Sequence, residues 1–136
     1  MKNTGGCLCG QVRYTLGGAP LATALCHCSN CQRQSGAAFS VNLLVQDSQI
    51  EISGRLAAFE DAGESGGKVQ RRFCPQCGSP VISSLASAPG LAALKAGTLD
   101  DTSWIRPAMQ VWCGSKQDWL VLDPALPAFP KNPPAA

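Results

Sequence analysis

The stretch LCHCSNCQRQSG, residues 25–36, places three cysteines within six consecutive positions. Cys26, Cys28 and Cys31 form a C-x-C-x2-C pattern. Three thiols do not make a set of disulfides, and they are one short of the four ligands of a closed tetrahedral metal site. The chain has eight cysteines, so the role of these three depends on how the other five are grouped.

The remaining cysteines also occur in short-spaced groups. Cys7 and Cys9 form a C-x-C pair, Cys74 and Cys77 form a C-x2-C pair, and Cys113 stands alone. The first residues contain no apolar signal-peptide core, so we expect a cytoplasmic protein whose thiols stay reduced. A disulfide within C-x-C would also be strained. Reduced, clustered cysteines indicate metal binding.

Composition limits the remaining possibilities. The chain has 136 residues, of which 45% are hydrophobic, which predicts a globular protein. No apolar run is long enough to span a membrane. A net charge of only +2 argues against a nucleic-acid-binding zinc ribbon. We expect one domain over residues 1–129 and a disordered Pro- and Ala-rich tail over residues 130–136.

Short apolar runs alternate with polar residues and are separated by Gly, Pro, Ser and Asp clusters, which predicts a mainly β fold. Helical turns are predicted only at residues 30–35 and 101–105, and the polar N-terminal segment is given no strand. The predicted strands are residues 11–16, 21–28, 38–45, 50–54, 56–60, 68–73, 81–85, 91–97 and 108–112.

Four thiols complete a structural zinc site. Cys7 and Cys9 would lie on one face of an extended segment, because side chains two apart point the same way. With Cys74 and Cys77 they supply four thiolates, the ligand set of a closed zinc site. Metal binding would then tie the start of the chain to its second half and contribute to folding.

The cluster of Cys26, Cys28 and Cys31 is left with three ligands, and two residues are candidates for a fourth. His27, the only histidine, would point to the opposite side of the strand, so we interpret it as a packed or hydrogen-bonded side chain. We interpret Cys113 as a small buried residue of the last strand. A zinc ion held by three cysteines keeps an open position, which is typical of catalytic zinc.

Five stretches together resemble the glutathione-dependent formaldehyde-activating family: GGCLCGQVRY, CHCSNCQRQSGAAFS, RRFCPQCGSPV, AGTLDD and VWCGSKQDWL. The resemblance runs from Gly5 to about Phe129. It implies an all-β, Mss4-like (β-tent) fold of small sheets pinned by zinc-binding cysteine knuckles. It also implies a structural zinc on Cys7, Cys9, Cys74 and Cys77 and a second zinc on Cys26, Cys28 and Cys31.

The family activity is the addition of glutathione to formaldehyde, which is the chemistry of a carbon–sulfur lyase. The implied partners are therefore a small thiol and a small aldehyde, and a thiol bound to zinc loses its proton. Arg33 either binds a glutathione carboxylate or is an ordinary surface residue. Of Arg71 and Arg72, which face opposite sides of a strand, one is expected to balance thiolate charge and the other to be exposed.

A non-catalytic, zinc-stabilised binding module of the same fold is the alternative function. The three-cysteine cluster favours the enzyme, because a binding module needs no open coordination position.

Overall fold

The chain is built almost entirely from short β-strands in a computed structural model that describes residues 2–62 and 66–133. The mainly β prediction is confirmed. The described elements are β1 (Lys2–Gly6), β2 (Arg13–Gly17), β3 (Ala22–Cys26), α1 (Ser29–Ser35), β4 (Ser40–Gln46), β5 (Ile50–Ser53), β6 (Ala57–Ala62), β7 (Lys68–Phe73), β8 (Pro80–Leu85), β9 (Leu91–Lys95) and β10 (Met109–Val111).

These strands form two open sheets. The smaller sheet has the antiparallel order β1-β2-β5. The larger has seven strands in the order β10-β3-β4-β9-β8-β7-β6, and all its pairs are antiparallel except β10 with β3. No helix within residues 2–62 and 66–133 is long and apolar enough to cross a membrane.

The hydrophobic core joins the two sheets. In the seven-stranded sheet, Leu43 lies opposite Leu94, and Leu94 lies opposite Ile82. All three are fully buried and belong to the same apolar cluster as Tyr14 and Leu16 of the smaller sheet. One face of the seven-stranded sheet is therefore covered by the smaller sheet.

The other face of the seven-stranded sheet carries polar and charged side chains. Side chains alternate between faces along a strand, so residues that neighbour the core leucines point away from the smaller sheet. The strand register places these residues side by side: Ser40 lies opposite Cys26, Asn42 opposite Lys95, and Ser83 opposite Arg71. We call this set the polar face; it contains Cys26, Ser40, Asn42, Arg71, Ser83 and Lys95.

Most predicted elements agree with the structure to within two residues at each end, and β7 agrees at both ends. The helical turn predicted at residues 30–35 is confirmed as α1. The predicted helical turn at residues 101–105 is present only as a single hydrogen-bonded turn without a helix: Ile105 N donates to Thr102 O at 3.2 Å, and the Ser103 amide donates to Asp101 Oδ1 at 2.9 Å.

Strand β1 was missed because its sequence, KNTGG, is polar and rich in glycine. Its backbone pairs with β2, and Gly5 is buried against Tyr14. A Cβ atom at Gly5 would overlap the Tyr14 ring and the Thr98 carbonyl oxygen. Gly5 makes β1 hard to recognise in the sequence, but it is required because β1 lies close to Tyr14 and Thr98.

Residues 130–132 of the tail that we predict to be disordered form hydrogen bonds with Trp112 and Gly114, and disorder of the tail stays a prediction. Trp112 N donates to Lys131 O at 3.1 Å, and Gly114 N donates to Pro130 O at 3.2 Å. Trp112 Nε1 also donates to Asn132 Oδ1 at 2.9 Å. Residues 134–136 of that prediction lie outside the described residues.

We predict that Gly5→Ala destabilises the protein by about 1–3 kcal/mol, because the added methyl group overpacks the contact with Tyr14. Denaturant-induced unfolding measures the change. Gly97→Ala is the matched control, since its Cβ would meet nothing within 4 Å. Equal effects from the two substitutions would contradict the packing role of Gly5.

Candidate metal centres and the adjoining cavity

The first thiol cluster joins the ends of two strands from different sheets. Cys7 follows β1 and Cys74 follows β7, while Cys9 and Cys77 lie on the turns that come next. Sγ of Cys9 is 3.6 Å from that of Cys7 and 3.8 Å from that of Cys74. All four sulfurs lie within 4.8 Å of one another. The predicted grouping of these four cysteines therefore matches the geometry.

Backbone amides point at two of these sulfurs. The amides of Gln76 and Cys77 each lie 3.4 Å from Cys74 Sγ, and the amide of Val12 lies 3.3 Å from Cys7 Sγ. Donors of this kind stabilise the thiolate form. The pKa of Cys77 is lowered to about 5, chiefly because its sulfur is hydrogen-bonded to the Ser79 hydroxyl.

The second cluster lies where β3 passes into α1. Cys26 ends β3, Cys28 is the N-cap of α1, and Cys31 lies in the first turn of that helix. All three side chains are buried, and Sγ of Cys31 is 3.4 Å from Sγ of Cys26. The predicted strand over residues 21–28 ends earlier, because Cys28 caps the helix by accepting a 3.2 Å bond from the Cys31 amide.

The second cluster favours a single thiolate in the absence of a cation. The pKa of Cys31 is lowered, because the thiols of Cys26 and Cys28 hydrogen-bond to its sulfur and because Lys95 and Arg71 attract its charge. The pKa of Cys26 is raised by its contacts with Cys28 and Cys31 and by burial. Ionising all three thiols thus requires an added positive charge.

Both clusters fit a thiophilic divalent metal. A Zn–S bond of about 2.3 Å places the sulfurs of a tetrahedral site about 3.8 Å apart. The recorded sulfur–sulfur separations of 3.4–3.8 Å are close to this value. Ligand sets made only of thiols suit zinc better than magnesium or calcium.

Neither candidate fourth ligand belongs to the described clusters. His27 is fully buried, with its ring centroid 5.4 Å from that of Phe39 and its Nε2 atom 3.4 Å from Gln110 Oε1. Burial lowers its pKa, so the ring is neutral. Cys113 begins a 3₁₀ turn and is half-buried rather than buried as expected, because Trp112 before it has a positive φ of 56° that ends the extended chain.

A cavity of about 240 Å³ lies beside the second cluster. Its lining includes the side chains of Cys26, Cys28 and Cys31 together with residues of the polar face, among them Arg71, Ser83 and Lys95. The three thiols therefore face a partly open cavity, whereas Cys9 of the first cluster is exposed to solvent.

Arg33 does not line this cavity. It lies on the exposed side of α1, in a shallow groove with Gln117 and Trp119. Of Arg71 and Arg72, one was expected to lie near the thiols, and Arg71 is the one that lines the cavity with them. Arg72 is half-buried rather than exposed, because the opposite side of its strand is partly covered.

Arg71 is paired with a carboxylate at the end of the cavity. Its Nε atom donates to Asp61 Oδ2 at 2.8 Å, and the two side chains are only 7% and 18% exposed. Asp61 also accepts a 3.1 Å bond from Asn30 Nδ2, so the same carboxylate fixes α1 against the sheet.

Lys95 is the basic residue that sequence reasoning missed. It is 8% exposed, and its Nζ atom donates to Ser40 Oγ at 2.7 Å and to Asn42 Oδ1 at 3.3 Å. The available signal was a single lysine in an Ala- and Leu-rich strand. It was overlooked because a lysine at the end of a strand is ordinarily exposed.

The fold and its thiol groups define a class of cysteine-rich β protein with two candidate metal centres, one of them facing a cavity. Within that class, the family described as "Glutathione-dependent formaldehyde-activating enzyme" matches residues 2–115, and the chain belongs to this family.

The fold is also similar to a solved structure, a Rhodobacter sphaeroides protein determined as a structural genomics target. The TM-score is 0.58 and the sequence identity is 19%, with 76% of this chain and 91% of that chain covered. This similarity concerns the fold alone. Among curated proteins, no match to the chain was found.

We predict that Asp61→Asn destabilises the protein by about 3 kcal/mol, because it leaves the buried charge of Arg71 without its partner. The free energy of unfolding from denaturant titration measures the loss. Glu60→Gln is the matched control in the adjacent position of the same strand. Glu60 pairs with Lys68 at 3.6 Å on the exposed surface, so we expect little change there. A loss as large for Glu60→Gln would contradict the assignment.

Proposed function

We propose that the protein is a zinc-dependent enzyme of the carbon–sulfur lyase type that joins a thiol such as glutathione to a small aldehyde such as formaldehyde. One observation carries the proposal: three buried cysteine thiols converge on the wall of a cavity, while four other thiols converge elsewhere. The family to which the chain belongs supports the same chemistry.

The two clusters would have different tasks. Cys7, Cys9, Cys74 and Cys77 would hold a structural zinc with a complete set of four ligands. Cys26, Cys28 and Cys31 would hold a second zinc, which leaves one position of a tetrahedral site to a ligand from the cavity. Zinc bound there would lower the pKa of a substrate thiol and keep it in the reactive thiolate form.

The chain's own residues would confine the reactants. The cavity volume of about 240 Å³ accommodates a small aldehyde and the sulfur end of the thiol. The remainder of a glutathione molecule would extend toward the surface, and a contact between Arg33 and one of its carboxylates stays a prediction. Bringing the thiol and the aldehyde together in one cavity would lower the entropic part of the barrier.

A non-catalytic binding module is the second candidate function. Its support is the exposure of two large apolar side chains close together in sequence, Trp119 at 68% and Val121 at 89%. Large exposed apolar side chains are typical of interaction surfaces when they form a patch. A module of this kind would have no use for three thiols that line a cavity, so we favour the enzyme.

We predict two zinc ions per chain, measured by elemental analysis of purified protein. Cys28→Ser should reduce the content to one and leave the protein folded, because only the second cluster loses a ligand. Cys74→Ser should unfold the protein, because the first cluster connects the two sheets. Cys113→Ser is the matched control and should retain both ions. A single zinc in the wild type, or loss of both from Cys28→Ser, would refute the grouping.

We predict that the wild-type protein at micromolar concentration accelerates the exchange between free formaldehyde and its glutathione adduct. Exchange NMR spectroscopy measures this rate directly. Cys28→Ser is expected to abolish the acceleration, since it removes a ligand of the second cluster. An exchange rate that the wild-type protein does not change would exclude the formaldehyde activity and favour the binding module.

A further inference from the structure

The polar face of the seven-stranded sheet contains a buried hydroxyl group, that of Ser83, with which no described residue forms a hydrogen bond. Ser83 is 4% exposed, and its Oγ atom has no hydrogen-bond partner among the described residues. Buried hydroxyls are ordinarily paired, because an unpaired one loses its bonds to water without compensation. Ser83 lines the same cavity as the three cysteines, so a ligand in the cavity can supply the missing partner.

Lys95 lies beside Ser83 on this face and also lines the cavity. Ser83 is opposite Ala93, two residues before Lys95, so the two side chains are diagonal neighbours on adjacent strands. Ala93 between them is small and leaves open space above the sheet. Lys95 donates only to the neutral Ser40 and Asn42, and no carboxylate within the described residues forms an ion pair with it.

The charges around the cavity explain why a buried cation is stable there. Three thiolates around a divalent metal would leave one negative charge, which Lys95 would balance, while Arg71 and Asp61 balance each other. A substrate thiolate would bring one further negative charge. When its sulfur attacks an aldehyde, that charge passes to the carbonyl oxygen, so a donor is needed where the oxygen lies.

We propose that Lys95 is a catalytic residue that protonates the aldehyde oxygen while Ser83 donates a hydrogen bond to it; this inference rests on the proposed function. In this step the substrate sulfur forms a bond to the carbonyl carbon, and the π electrons of the carbonyl group move to oxygen. The oxygen takes a proton from the Lys95 ammonium, which gives the neutral hydroxymethyl thioether. Lys95 then regains a proton from solvent, which balances the proton that the substrate thiol released when it became a thiolate.

Two further properties of Lys95 suit this role. Burial lowers its pKa, which makes the ammonium a stronger acid, although the nearby thiolates oppose this effect. Its bonds to Ser40 and Asn42 fix the direction of the side chain before any substrate arrives. Ser40 Oγ donates to Asn42 Oδ1 at 2.8 Å, so these two residues keep a bond to each other if the lysine is replaced.

The main experiment compares Lys95→Met with the wild type. We expect the maximal rate of adduct formation, followed by exchange NMR spectroscopy, to fall about 100-fold. Because Lys95 also lies near the thiol charges, zinc and glutathione are supplied at saturating concentrations, and elemental analysis and calorimetry verify that both are bound. Lys2→Met removes the same charge from an exposed position on the smaller sheet and should retain the full rate.

Ser83→Ala provides a test that survives if Lys95→Met fails to fold. We expect its maximal rate to fall at least about tenfold. Its melting temperature should be unchanged or higher, because the substitution removes an unpaired buried hydroxyl, whereas a structural role for Ser83 would lower it. Ser84→Ala, on the opposite face of the same strand, should retain the wild-type rate.

The outcomes separate the inference from the proposed function. Suppose that the wild-type protein accelerates exchange and that both Lys95→Met and Ser83→Ala do so at the wild-type rate. The role of Lys95 and Ser83 is then refuted, and the proposed function stands. A Lys95→Met protein that regains the wild-type maximal rate once zinc and glutathione are saturating would also refute this role, because Lys95 would then only balance charge. A wild-type protein without any effect on exchange would refute the proposed function itself.

Discussion

The strand register of the seven-stranded sheet is the constraint on which the rest of the structure depends. Apart from a bulge between Arg72 and Phe73, side chains alternate between the two faces, so one register places Leu43, Leu94 and Ile82 in the core and Cys26 and Lys95 on the other side. A slip of one residue in any strand would exchange the two sets. The free energy of burying the leucines therefore also fixes where the chemically active side chains lie.

The two thiol clusters occupy different positions with respect to this sheet. The four-cysteine cluster lies at the end of β7 and reaches back to the end of β1, so it connects the two sheets at one end of the molecule. The three-cysteine cluster lies at the end of β3, next to the polar face. Of the two clusters, the second therefore lines a partly open cavity, whereas Cys9 of the first is exposed to solvent.

The sequence predicted much of this site, for identifiable reasons. Thiol spacing is a local property, so the division of the cysteines into groups of four and three was accessible without coordinates. The position of His27 away from the thiols followed from alternation along an extended chain. Strand β1 was inaccessible because its stability comes from pairing with β2 and from the close approach of Gly5 to Tyr14, neither of which its polar sequence indicates.

What the sequence determined by itself is the ligand chemistry and the β architecture, because both depend on short-range spacing and periodicity. Only the tertiary structure decided which charged and polar groups face the thiols. Arg33, adjacent in sequence, points to an external groove, while Lys95 and Ser83 come from strands 50 or more residues away. Strand pairing over such separations depends on contacts across the entire sheet, so it cannot be predicted from the local sequence.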